Sequence, residues 1–213
     1  MKIAKILACS VVVLIAVVAS LNGTESVAQE KHERAAVHND AAMKKAEQAI
    51  AESLKTLSPA DQKLVNSQRF CPMMPHGRLG AMGTPIKLRI GDKPVFVCCE
   101  ECIAQVKKDS AGALKLAAKL IAASAELAKL DPAERTAIEA QKYCAIASGS
   151  ILGSMGAPIK MQLDGQPVYL CCAGCTQKAR SNPAATLAAV EELKKAAIQH
   201  GQNLAGHATR SNQ

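Results

Sequence analysis

The sequence predicts an α+β protein of two tandem small modules, each running helix, cysteine loop, β-hairpin, helix, and joined by amphipathic helices. Three observations predict it. The 213 residues leave room for one or two small domains and not for one large core. Laid over itself at an offset of 73, the chain brings Cys71, Cys98, Cys99 and Cys102 onto Cys144, Cys171, Cys172 and Cys175 without a gap. Between residues 57–102 and 130–175, 17 of 46 positions are identical, among them Pro59/Pro132, Gly80/Gly153, Gly83/Gly156, Pro85/Pro158 and Pro94/Pro167. Such a match marks duplication of a folding unit, and two repeats are too few for a solenoid. Each copy also carries the same helix-start and hairpin-turn signals.

From the N-terminus, Lys2 and Lys5 precede an apolar run over 6–19, and a polar stretch follows with Ser26-Val27-Ala28 before Gln29. A positive n-region, an apolar h-region and a small-x-small site are the layout of a secretory signal, here 1–28. The rival is an uncleaved anchor, since 3–21 is nineteen mostly apolar residues, barely enough to cross a bilayer. Ile6-Leu7-Ala8-Cys9 has the form of a lipoprotein box but precedes the apolar run, so Cys9 is assigned to the signal. No other segment is apolar enough to cross a membrane, so the mature chain is expected to have no span and to lie in the periplasm or cell envelope.

Residues 29–57 read as an N-terminal helix with Met43, Ile50, Leu54 and Leu57 on one side. Module 1 follows as 58–130 and module 2 as 131–200. Ser58-Pro59-Ala60-Asp61 and Asp131-Pro132-Ala133-Glu134 each give an N-cap, a proline at N1 and an acid at N3. A short helix then leads into Phe70-Cys71 or Tyr143-Cys144. After a glycine-bearing loop, the alternation over 85–90 predicts a strand burying Ile86, Leu88 and Ile90. Gly91-Asp92 and Asp164-Gly165 are hairpin turn signals, Asp-Gly the stronger. The return strand over 95–97 runs into Cys98-Cys99, and from about Glu100 the chain becomes helical, with Cys102 in the first turn. A longer helix opened by Asp109-Ser110 carries the stripe Leu116, Leu120, Leu127 and Leu130; Asn182-Pro183 opens its counterpart. Residues 201–213 are predicted to be a disordered tail.

The formal charge is +8, but the basic residues are spread along helices with no Arg-rich block or aromatic-interleaved patch. They read as solvated helix faces, and nucleic acid is not an expected partner. All four aromatics (Phe70, Phe96, Tyr143, Tyr169) lie inside the modules. A unit of some fifty residues with two aromatics buries too little apolar area to beat its chain entropy comfortably, so it needs a staple.

The cysteines are the obvious staple. A disulfide contributes about 2–4 kcal/mol, a structural zinc site about 10–16 kcal/mol in small fingers. Cys98 at the end of a hairpin and Cys102 one helical turn later bring two sulfurs together, and Cys71 arrives from the loop as a third. The helix N-terminus lowers thiol pKa, favouring the thiolate that a metal requires. The adjacent pair is awkward, because successive strand residues point to opposite faces. Cys98 and Cys99 cannot both face one ion unless the strand ends between them; Cys99 and Cys172 are ligands or small core residues.

Cys71-Pro72-Met73-Met74-Pro75-His76, then Gly80 and Gly83, then 94–102 with its Cys98-Cys99-x-x-Cys102, resemble the TRASH/YHS group of small metal-binding domains. The likeness covers 70–106 and 143–179. It implies a treble-clef-like knuckle and a role in heavy-metal sensing, trafficking or resistance. Where a full knuckle would carry a second cysteine, this chain has Met74 and Ala147, and Cys99 is the replacement on offer. Cys71 to His76 is also similar to the Cys-Pro-Met-His-Pro box of heavy-metal efflux components.

The expected function is therefore binding of zinc or copper(I), one ion per module, as a buffer, chaperone or sensor. The candidate ligands are Cys71, Cys98, Cys99, Cys102, Cys144, Cys171, Cys172 and Cys175, with Met74 and His76 as further donors. A metal-transport or efflux protein is the expected partner. The alternative is a disulfide-stapled structural or interaction protein without metal, since exported compartments are oxidising. A thiol redox enzyme using Cys99-x-x-Cys102 or Cys172-x-x-Cys175 is the third reading, but the sequence lacks the βαβ setting of that motif. No Ser/His/Asp set, paired carboxylate or phosphate loop is present, so no enzymatic activity is expected.

Overall fold

The local signals of each copy assemble the same set of elements twice. The computed structural model describes residues 44–210, and from Gln48 onward the chain forms one compact unit. The expected signal at 1–28, Met43 with the start of the N-terminal helix, and 211–213 lie outside the described residues. Among the described residues, seven helices and two antiparallel hairpins make up two similar halves of a mixed α+β fold.

Helix α1 (44–54) is followed by α2 (Pro59–Gln68), where the Ser58 hydroxyl accepts from the Asp61 N–H and Pro59 fills the first turn. The second copy opens α5 (Pro132–Gln141) with Asp131, whose carboxylate accepts from the N–H groups of Ala133 and Glu134. These are the caps the sequence predicts. The chain leaves the two helices through Arg69 and Lys142, both at φ 64.

Strands β1 (Ile86–Ile90) and β2 (Lys93–Val97) pair with Ile86 opposite Val97 and Ile90 opposite Lys93. Strands β3 (Ile159–Leu163) and β4 (Gln166–Leu170) repeat that register, with Ile159 opposite Leu170. Asp164 and Gly165 both take positive φ, as a type I′ turn demands; in the first hairpin only Gly91 does, the type II′ pattern. A lone two-stranded hairpin is marginal in water. Here each packs under helices: α3 (Glu100–Lys108) and α4 (Ser110–Leu127) in the first half, α6 (Ala173–Ser181) and α7 (Pro183–Arg210) in the second.

The helices between the hairpins serve two masters. Ala113, near the start of α4, packs into the core of the first module with Val106, Phe96 and Cys102. Leu127, at its end, packs into the core of the second with Ile138, Leu152 and Tyr169. Between them Leu120 and Ala123 join Phe70 and Ile151 in a third cluster that bonds the halves together. Helix α1 does for the first module what the end of α4 does for the second. A Cβ on Gly80 would meet Ser53 Oγ at 2.9 Å and Ile50 at 3.0 Å; one on Gly153 would meet the Ala123 backbone at 3.1 Å. The paired glycines are what let each helix lie against its loop.

Helix α7 runs to Arg210, past His200, where the sequence predicts a disordered tail. No proline follows Pro183, and Gly201 costs a helix only about 1 kcal/mol relative to alanine. None of the described helices is long and apolar enough to cross a membrane.

Candidate metal centre

Three elements converge on each cysteine cluster. Beyond α2 the chain folds into a miniature hairpin, in which Cys71 N–H donates to the Gly77 carbonyl at 2.9 Å and Leu79 N–H to the Arg69 carbonyl at 3.1 Å. Gly77 N–H closes the turn on the Met74 carbonyl at 2.7 Å. The copy repeats the bonds with Cys144 to Ser150, Leu152 to Lys142 and Ser150 to Ala147. This turn delivers the first cysteine. The end of β2 or β4 delivers Cys98 or Cys171, and the first turn of α3 or α6 delivers Cys102 or Cys175.

The sulfurs of Cys71, Cys98 and Cys102 lie within 4.8 Å of one another, as do those of Cys144, Cys171 and Cys175. All six residues are buried, none more than 7 % exposed. Cys102 Sγ stands 3.7 Å from Cys71 Sγ and 3.8 Å from Cys98 Sγ; Cys171 and Cys175 are 3.7 Å apart. Four thiolates on a tetrahedral ion with bonds of about 2.3 Å have sulfur–sulfur edges of about 3.8 Å. The donor set therefore fits a tetrahedral thiophilic ion. A disulfide needs about 2.05 Å, and all eight described cysteines are unbridged, with Cys99 Sγ and Cys102 Sγ standing 3.4 Å apart.

The vicinal pair is resolved by where the strand stops. Strand β2 ends at Val97 and α3 begins at Glu100, so neither Cys98 nor Cys99 lies on the strand. Cys99 Sγ stands 3.9 Å from Cys98 Sγ and 3.4 Å from Cys102 Sγ. In the second copy Cys172 Sγ is 3.9 Å from Cys171 Sγ and 3.6 Å from Cys175 Sγ. Cys99 is half-buried and Cys172 exposed, so both form the rim of their clusters and not the core.

The further donors divide. Met74 Sδ lies 3.5 Å from Cys98 Sγ, placing a thioether beside the first cluster where the second has Ala147. The His76 ring stands edge-on to Tyr143 of the other module, centroids 5.9 Å apart, and is not among the groups gathered at the sulfurs.

The N–H groups around each cluster favour ionisation of its first cysteine. In the first, the Cys98 thiol and the N–H groups of Cys98, Met73 and Met74 point at Cys71 and bring its pKa down to about 6 against burial. Cys98 is pushed up by its bond to Cys71 and by burial; Cys102 is pushed up by burial and by the Cys71 charge. In the second, burial raises the Cys144 thiol, but the N–H groups of Ala147, Cys171 and Ile146 outweigh it and hold it below its ordinary value. Burial there pushes Cys171 up, and Cys175 up to about 11. A thiolate with two neighbouring thiols is one step from a three-thiolate site, lacking only the cation that makes the other two ionise.

Sequence reasoning missed Gln68 and Gln141, the buried amides that lock the first cysteine's turn to the second cysteine's strand. Their signal was present, since they are among the 17 identities. No family model matches the chain, and no curated protein and no solved structure matches it either.

Proposed function

We propose that this chain is an exported protein that binds a soft metal ion, zinc or copper(I), one per module. It acts there as a buffer, chaperone or sensor and not as an enzyme. The observation that carries the reading is the repeated triangle of buried sulfurs, Cys71/Cys98/Cys102 and Cys144/Cys171/Cys175, held by backbone in the same way twice. Ionising three clustered, buried thiols is costly unless a cation offsets it. The ion would be held by that triad, and in the first module Met74 is the adjacent fourth donor. The likeness of 70–106 and 143–179 to TRASH/YHS domains supports the same reading, and the n-region, h-region and small-x-small pattern of 1–28 supports export. A thioredoxin-type dithiol sits in a βαβ unit, whereas the described sheets are isolated antiparallel hairpins. A metal-transport or efflux protein is the expected partner for such cargo. Titration with zinc or copper(I) tests this: saturation at two equivalents is expected, and the double change Cys98→Ser with Cys102→Ser should remove one. Saturation at a single equivalent would mean one shared site.

A further inference from the structure

The four sulfurs of each module form two triangles that share an edge. The inner triangle is Cys71, Cys98 and Cys102, and all three are buried. The outer triangle is Cys98, Cys99 and Cys102, with sides of 3.9, 3.4 and 3.8 Å. They share Cys98 and Cys102. The second module repeats the pattern, its outer triangle of Cys171, Cys172 and Cys175 having sides of 3.9, 3.6 and 3.7 Å. In both, the outer corner belongs to the least buried cysteine of the four, half-buried Cys99 or exposed Cys172.

That corner is also an odd choice for structure alone. Cys99 and Cys172 are the N-caps of α3 and α6, in extended backbone, and neither side chain makes a full capping hydrogen bond, the N–H groups of Cys175 and Gly174 acting only weakly on the Cys172 sulfur. Ser, Thr, Asp and Asn are the residues that satisfy an orphan N–H there, worth about 1 kcal/mol each. This chain uses them elsewhere: Ser58, Asp109 and Asp131 all cap with their side chains. Both modules forgo that bond to keep a thiol at the mouth of the cluster.

Resting on the metal-binding reading above, we propose that Cys99 and Cys172 are transfer ligands. Each receives the cargo ion from, and returns it to, a thiolate-bearing carrier. On loading, the rim thiol gives up its proton to the departing carrier ligand or to water, and its sulfur bonds the ion in that ligand's place. Cys98 and Cys102 then bond as the remaining carrier ligands leave, each thiol giving up its proton to a departing ligand or to water. Finally Cys71 bonds from within as the rim sulfur is released and takes a proton from solvent. The shared edge holds the ion through that last exchange and a carrier or rim sulfur holds it before, so no naked cation forms, and its oxidation state does not change. Release runs the same steps backwards.

The test uses the full chain with copper(I), comparing wild type with the Cys99→Ser, Cys172→Ser double variant. Serine is the better N-cap, so the variant should match or exceed the wild-type Tm. Both proteins should hold two ions per chain with affinities within a few-fold. Transfer of copper(I) to a coloured bidentate chelator, followed by stopped flow, should be at least ten-fold slower in the variant. Iodoacetamide mass mapping of the loaded wild type should label Cys99 and Cys172 among the module cysteines and spare the other six. Equal transfer rates would overturn the proposal. Loss of bound ions in the variant, or protection of all eight module cysteines in loaded wild type, would also overturn it, by making the rim sulfurs resident ligands while leaving the metal-binding reading intact. A wild type that takes up no ion would remove both.

Discussion

The side-chain amide of Gln68 pairs with both backbone groups of Phe96, its Oε1 accepting from the Phe96 N–H at 3.0 Å and its Nε2 donating to the carbonyl at 2.7 Å. The same Nε2 donates to the Phe70 carbonyl at 3.0 Å. One buried side chain thus completes the free edge of β2 and ties the residue before Cys71 to the residue two before Cys98. Gln141 does the same for Tyr169 and Tyr143. Replacing Gln68 by Leu removes the partner of one buried N–H and two carbonyls, which costs about 1–3 kcal/mol for each group left unsatisfied. Denaturant unfolding of the full chain should show a loss of about 3 kcal/mol or more. The metal titration should weaken at the first module and hold at the second. Equal weakening at both would mean that the amide supports the whole fold and not one cluster.

Met74 makes the two modules unequal. Its thioether lies beside the first cluster, and Ala147 offers nothing equivalent. Thioethers favour copper(I) over zinc. Met74→Ala should therefore weaken copper(I) binding at the first module several-fold and leave zinc within two-fold, read by chelator competition. His76→Ala should change neither, because that ring packs on Tyr143. A copper(I) affinity unchanged by Met74→Ala would leave two thiolate sites of one kind.

Acid should expel the ion, and the sign follows from the thiols. At neutral pH Cys71, held down to about 6, is already ionised, while burial and its charge keep Cys102 and Cys98 protonated. Metal binding at the first module must then release about two protons. Calorimetric titrations in buffers of different ionisation enthalpy count them. Affinity should rise with pH through the neutral range and fall further below about 6, where Cys71 is protonated as well. A pH-independent affinity would contradict thiolate ligation.

Glu139 of the second half receives Arg69 of the first through two bonds, Nε at 2.5 Å and Nη2 at 2.8 Å, and Arg135 Nε at 3.0 Å. Burial raises this carboxyl, but Arg69 and Arg135 outweigh it and hold its pKa below the ordinary 4.5. The pair's stabilisation is complete above 4.5 and is lost as pH falls through the lower folded value. Glu139→Gln should cost about 2–3 kcal/mol at pH 7, and the difference from wild type should shrink in acid thermal melts. A constant difference from pH 7 to 3 would show that the ion pair carries none of it.

The hairpins and caps were legible because their signals are local. Asp164-Gly165 can adopt the two positive φ values its turn needs, and Asp131 reaches its own helix within three residues. The vicinal pair was not legible, because whether Cys98 lies on the strand depends on a stop at Val97 that nothing in the local pattern marks. The partners of Gln68 and His76 lie 28 and 67 residues away in the chain, at Phe96 and Tyr143, so only the assembled fold shows them. The gapless repeat did place all eight thiols in two sets of four. Their division into buried triangle and exposed rim needed coordinates.

The most direct test is the mass of the protein purified from its native host, measured under native and then denaturing conditions. Two bound ions are expected in the native spectrum, and eight unmodified thiols in the modules after denaturation. A native spectrum without metal, joined to a denatured mass lowered by four disulfides, would contradict the metal-binding reading and make the cysteines covalent staples.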